Sequence, residues 1–485
     1  MKALLAEHGS PVGGRTGGDP TEEILLVPSD VFASQCVGRT RRAAAPDAGT
    51  VGAMKAPERA DYSMTASPRT ALPVAVRAEG CWIEDADGRR YLDACGGAMV
   101  MLLGHCHPRL VEALRAQAGE LTFTYRFSFR NEPMLDLAER IAARAPGDLE
   151  WCFFNSSGSE ANESALHLAV LYWELLGRAG KVEFLSRVTS YHGSTMGALS
   201  LSGSRWRAPF ELLLRKYAVV PNSETAEEGA AALEAAILSR GAEHVAAFVV
   251  EPVTGSSGAA VPLPDGYLEA VREVCDRHEV LLVADEVITA FGRTGRWFAV
   301  EHDGALPDVI TFGKGIGGGV VPLSGMVASR RLREVVESSP AGFSYGHTFS
   351  GNPLGCAVGS AVIDTIEEDG LVEAAEARGA RLRERLEELR GRHPIIHSLR
   401  GRGLLQGIEL RAPDGARFPA ATGVCGRVAA EAKAEGLMIY SCPTPVGTEQ
   451  MDALMLAPPL VISDAEIDEI ASRLDAALAR VAPTL

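Results

Sequence analysis

A lysine set among glycines and an aspartate closing an apolar run are the residues of this sequence best suited to chemistry. Lys314 stands in TFGKGIGGG, flanked by Phe312, Gly313 and Gly315. Glycine has no Cβ, so a flat ligand can come close to the backbone there. Partial loss of water lowers a lysine's proton affinity, and a neutral amine can condense with a carbonyl to form a Schiff base. Asp285 ends the run LLVA in LLVADEV. Ligands sit at the carboxyl ends of strands in parallel sheets, and a buried carboxylate there needs a cationic partner such as a protonated ring nitrogen. Taken singly, each residue also has a plainer reading, as a loop lysine and a structural strand-end aspartate.

Two further segments could hold a ligand. In FFNSSGSEANESALHLA a strand ends at Phe154 and Glu160 opens a helix. The amides of Gly158 and Ser159 and the Ser159 hydroxyl can then hold a dianionic phosphate at the positive helix end. The same letters fit a capping box of Ser157 and Glu160. In SYHGSTMGA, Tyr191 could stack on a planar ligand or simply pack. His105, Cys106 and His107 suggest metal ligands, but no second cluster stands at ligand spacing, so no metal is expected. Gly315 and Gly317 to Gly319 lack the order of a dinucleotide fingerprint.

These residues need a scaffold, and the pattern supplies one. PVAVRAEGCWIEDADGRRYLDACGG alternates apolar and polar residues around a DADG turn, which predicts a hairpin. Helix-period and strand-like segments then alternate: helix Pro133 to Ala145, strand Leu149 to Asn155, helix Glu160 to Leu176, strand Val182 to Ser186. The alternation continues with strand Ala246 to Val250, helix Gly266 to His278, and strands Val280 to Ala284 and Val309 to Phe312. Short apolar runs between amphipathic helices predict an α/β fold with a buried, mostly parallel sheet covered on both faces. Helices at Pro353 to Glu368, Leu371 to Arg392 and Asp464 to Val481, with strands near Ile408 to Leu410 and Ala453 to Leu456, predict a smaller α+β domain. The charged segment Glu373 to Arg392 reads as a solvated helix face with i,i+4 pairs. The expected division is a flexible extension over 1–60, a small domain from 61–110 plus 362–485, and a large domain over 111–361.

Composition excludes several classes. The 485 residues carry 23% charged side chains, 6% aromatics and a formal net charge of −16. That charge repels nucleic acid and anionic membranes at long range. Nine cysteines, scattered and never spaced as C-x-x-C, read as reduced thiols in a cytoplasm. No run of eighteen apolar residues and no signal-peptide pattern is seen.

The set GSEA at Gly158 to Ala161, YHG at Tyr191 to Gly193, VEPV at Val250 to Val253, DEV at Asp285 to Val287, GRTG at Gly292 to Gly295, GK at Lys314 and HTFSGNP at His347 to Pro353 resembles the class III aminotransferases. The likeness runs over about 71–480. It implies the fold type I of pyridoxal 5'-phosphate (PLP) enzymes, with Lys314 holding PLP as a Schiff base and moving a proton during turnover. It implies that Asp285 keeps the pyridine nitrogen protonated, Gly158 and Ser159 bind the phosphate, and Tyr191 and Val287 flank the ring. Thr348 would reach the phosphate of the neighbouring subunit's cofactor, which implies a homodimer. Glu251 matches an acidic position behind the site. The implied activity moves an amino group from an amine or amino acid to a keto acid or aldehyde. An epimerase, lyase or decarboxylase on the same fold is the rival, and a non-catalytic binding protein is the remaining alternative. One departure stands out: many relatives using α-keto acids carry an arginine near the C-terminal strand, where GLMIYSCPTP places Tyr440. Arg402 or Arg126 is then the expected substitute for that charge.

Overall fold

The computed structural model describes residue 64 and residues 72–446 and 449–485. The expected flexible extension over 1–60 lies outside the described residues.

Seven strands form the central sheet, in the spatial order Leu149–Asn155, Ser324–Ser329, Val309–Phe312, Leu281–Asp285, Val245–Val250, Glu183–Arg187 and Val219–Val220. Only Ser324–Ser329 runs against its neighbours. The strands Val245–Val250, Leu281–Asp285, Val309–Phe312 and Ser324–Ser329 are buried along their whole length. A strand covered on both faces has no solvent side to mark with polar residues, so the first three read as near-continuous apolar runs. Ser324–Ser329, with the sequence SGMVAS, lacks such a run, and the sequence does not announce it.

The helix Gly158–Leu175 follows the edge strand Leu149–Asn155 and buries Ala161, Ala165, Leu168 and Ala169. Small residues on that face let it lie close to the sheet. The chain then crosses to Glu183–Arg187 near the far edge. Such a long crossover opens a crevice at the carboxyl ends of the strands.

A second sheet is antiparallel, with the order Ile396–Arg402, Leu405–Leu410, Glu449–Leu456 and Tyr440–Val446. The N-terminal hairpin strands Ala75–Glu79, Trp82–Asp85 and Arg90–Asp93 join Leu437–Met438, whose Leu437 pairs with Leu92. The helix Leu371–Arg392 is less solvated than its charge suggests. Leu371, Ala375, Leu382, Leu386 and Leu389 are buried on one face. Three of its six arginines reach the helix Asp464–Val481: Arg381 and Arg385 both pair with Asp468, at 2.7 and 2.8 Å, and Arg392 pairs with Asp475. The helix therefore has one apolar stripe and one charged stripe, the usual pattern of a surface helix.

Candidate active site

Gly158, Ser159, Tyr191, Asp285, Val287 and Lys314 all line one cavity of about 170 Å³, together with Asn162, His192, Glu251 and Ile288. The elements that deliver them are far apart in sequence and meet at the carboxyl edge of the sheet. Strand Leu281–Asp285 ends on its aspartate. Strand Val309–Phe312 is followed by Gly313 and then Lys314, which opens a 3₁₀ turn over Lys314–Gly317. Lys314 sits at φ 45°, the left-handed region that side chains rarely adopt. Non-glycine residues persist there only where their surroundings enforce it, and such strain gathers at functional sites.

Asp285 is buried and richly bonded. Its Oδ2 accepts from His192 Nδ1 at 2.7 Å and from Asn162 Nδ2 at 2.8 Å, and its Oδ1 accepts from the Val287 amide at 3.1 Å. Asn162 is in turn held by Thr311, whose hydroxyl donates to Asn162 Oδ1 at 2.9 Å. Burial alone would strip His192 of its proton. The hydrogen bond and charge of Asp285, with the charge of Glu251, outweigh it and raise the imidazole's proton affinity. Glu251 accepts from the amides of Tyr191 at 3.2 Å and Gly255 at 3.1 Å. Its burial pushes the carboxyl up to about 7.

Lys314 shows the opposite displacement. Burial pulls its amine down to about 8, against the attraction of Asp285 and Glu251. A substantial neutral fraction is therefore present near physiological pH, as a nucleophilic amine requires.

The phosphate-sized corner is built from a helix start. Ser157 caps Gly158–Leu175 by accepting from the Glu160 amide, and Glu160 reaches back to the Ser156 amide at 2.9 Å. The capping arrangement and the anion site thus coexist, since the cap leaves the first amides, of Gly158 and Ser159, without helical partners. Ser159 Oγ also accepts from the Ser194 amide at 3.0 Å. A Cβ on Gly193, at φ 136°, would stand 2.5 Å from that oxygen, so the close approach of the two loops requires glycine. A capped helix start, a buried carboxylate and a depressed lysine around one cavity form a donor set that fits PLP.

The wider comparison agrees. The class III aminotransferase family model matches residues 64–478. The chain belongs to the class III aminotransferases. Among its relatives, the aminotransferase YodT of Bacillus subtilis is 38% identical over 86% of this chain and 97% of its own length. A transaminase from the marine bacterium Virgibacillus superposes with a TM-score of 0.83 at 31% identity, covering 88% of this chain and 97% of that one. An amine transaminase from an uncultivated Pseudomonas species, solved in its PLP-bound form, superposes at 0.79 with 30% identity, over 88% and 99%. This aminotransferase accordingly has the PLP fold type I, uses PLP and catalyses transamination.

Other expected residues of the aminotransferase lie elsewhere. Thr348 is exposed in the segment before helix Pro353–Glu368 and does not line the Lys314 cavity. Tyr440 pairs opposite Met455 and packs with the apolar cluster of Met99, Val253 and Ala259, of which only Val253 reaches the cavity. Both candidate arginines are engaged: Arg126 donates to the Ser344 and Tyr345 carbonyls at 2.9 and 2.6 Å, and Arg402 pairs with Asp265 at 3.1 Å. His105 Nε2 meets the buried Asp93 at 2.9 Å. No helix among the described residues is long and apolar enough to cross a membrane.

Sequence reasoning overlooked His192 and Asn162 as partners of Asp285. Asn162 carries a detectable signal, since it lies three residues after Ser159 and so shares that helix face. For His192 the signal is only its place between Tyr191 and Gly193.

Proposed function

We propose that Lys314 and Asp285 carry the transamination, passing an amino group from an amine or amino acid to a keto acid or aldehyde. The observation supporting this is that a lysine lowered to about 8 and a buried carboxylate open onto the same cavity as a free helix N-terminus. When bound, PLP supplies an electron-withdrawing ring that takes up the electrons released as the substrate carbon loses its proton. Lys314 Nζ would anchor the cofactor, and its amine is the group placed to take and return that proton. Asp285, oriented by His192 and Asn162, would hold a proton on the cofactor's ring nitrogen. Gly158, Ser159 and the helix start would bind the phosphate, while Tyr191 and Val287 would flank the ring and restrict water.

The reading includes a homodimer in which Thr348 reaches the partner subunit's cofactor phosphate. Its support is exposed aromatic surface beside Thr348: its chain neighbour Phe349 is exposed and meets the exposed Phe123 edge-on at 5.9 Å, and Tyr125, Phe127 and Phe129 in the segment that follows Phe123 are exposed as well. Contiguous apolar surface of this kind marks an association face. The pairing of Leu92 with Leu437 supports reading the described residues 72–110 of the proposed 61–110 segment with 362–485 as one smaller domain beside a large domain over 111–361. The buried thiols of Cys81, Cys95, Cys275 and Cys356 favour a reducing cytoplasm.

The test mixes the yellow protein with amine donors and no acceptor. Transamination bleaches the cofactor band stoichiometrically to the pyridoxamine form. A band that returns unchanged while the amine is consumed or racemised would overturn the assignment.

A further inference from the structure

A second cavity, of about 710 Å³, adjoins the Lys314 cavity. Val253 faces the smaller space and its neighbour Thr254 the larger. Tyr191, lining the smaller, meets Trp206, lining the larger, with ring centroids 5.1 Å apart.

Arg187, the last residue of strand Glu183–Arg187, lines this larger cavity and is 6% exposed. Its guanidinium carbon lies 5.3 Å from the centre of the Tyr267 ring. Its Nε is buried without a hydrogen-bond partner, and it forms no ion pair with the described residues. Burial depresses its proton affinity while Tyr267 and Glu251 oppose the effect, yet a guanidinium remains charged at neutral pH. In the same cavity the Ser257 hydroxyl is 5% exposed and also has no partner. Buried cations and hydroxyls are ordinarily satisfied within the protein, so unspent donors on two residues that line one cavity indicate a missing acceptor. Arginine offers a planar fork that matches a carboxylate.

We propose that this cavity is a carboxylate subsite, in which Arg187, assisted by Ser257, receives an acidic group on the amino donor or keto acceptor whose reacting carbon lies at Lys314. The proposal rests on the reading of Lys314 as the reacting end. It gives the enzyme a charge-recognising group at a position that neither Arg126 nor Arg402 supplies. The walls formed by Val261 and Leu263 leave room for an apolar spacer between the two ends of the substrate.

The test is calorimetric titration of the holoenzyme with succinate, glutarate and adipate, each beside its neutral diamide. The tightest diacid should bind at least about tenfold better than its diamide, as a charge-assisted fork predicts. Arg187→Met should cut its affinity by about tenfold or more and erase the difference, whereas Arg187→Lys should retain part of it. An Arg187→Met protein that binds the diacid within twofold of wild type would overturn the subsite. So would wild-type protein that binds diacid and diamide alike. Should the methionine variant not fold, Ser257→Ala decides: a loss of about threefold or more for the diacid alone sustains the subsite, and an equal change for diacid and diamide refutes it. Bleaching by an amine that carries no carboxylate reports on Lys314 separately. Bleaching together with Arg187-independent diacid binding removes this subsite and leaves the Lys314 assignment standing.

Discussion

His192 Nδ1 stands 2.7 Å from Asp285 Oδ2, so the turn that carries Tyr191 is fastened directly to the carboxylate at the end of the central strand. The contact couples two functions, because Tyr191 lines the cavity beside the carboxylate that His192 orients. Asp285→Asn should keep the fold but lower the half-reaction rate by about a thousandfold or more, since a neutral amide cannot hold a pyridinium proton. Stopped-flow bleaching with a saturating amine measures this. A loss of tenfold or less, about 1.4 kcal/mol, would contradict the assignment.

Lys314→Ala should abolish turnover and the covalent link to PLP. Borohydride reduction followed by peptide mass mapping should place the pyridoxyl group on Lys314 in the wild type and on no residue in the variant. A pyridoxyl group on another lysine of the wild type would refute the role given to Lys314.

Glu251 provides a prediction with a definite sign. Burial holds its carboxyl protonated up to about pH 7 in the folded chain, while the unfolded chain ionises in the ordinary carboxylate range. The unfolded state therefore releases its proton first as pH rises. The stability contributed by this group is present at low pH and is lost through pH 7. Glu251→Gln removes that dependence. Chemical denaturation should show the variant gaining on wild type by roughly 1 to 3 kcal/mol between pH 5 and pH 8, on top of a pH-independent cost for the amide that replaces one acceptor. A constant difference across that range would mean that Glu251 is ionised throughout.

The aromatic face around Thr348 predicts an assembly effect. Phe349→Asp places a charge on a side chain that is 58% exposed in the isolated chain, so the monomer's own packing is little disturbed. Sedimentation velocity should show dissociation to monomers, and PLP affinity should fall several-fold as the phosphate loses Thr348 of the partner subunit. A dimer unchanged in mass and cofactor affinity would rule out this face.

Much of the scaffold could be read from the letters alone. VAAFVV, LLVAD and VITF are continuous apolar runs because both sheet faces are covered, and the helices between them keep one apolar stripe. SGMVAS was illegible because its small and polar residues are buried by neighbours that local sequence does not name. Lys314 and Asp285 stood out because their flanking residues are unusual for those side chains.

Sequence alone determined the residue types, their order along the chain and the periodicities, and these were enough to mark the lysine, the aspartate, the phosphate-binding turn and the family pattern. Tertiary structure decided which groups touch. It set His192 and Asn162 on Asp285, drew Lys314 down to about 8, and left Arg187 facing a cavity without a partner. Hydrogen bonding, desolvation and unmet charge depend on distances between segments as much as 149 residues apart, as for Asn162 and Thr311. Local sequence encodes the donors and acceptors, and only the folded chain brings them within reach of one another.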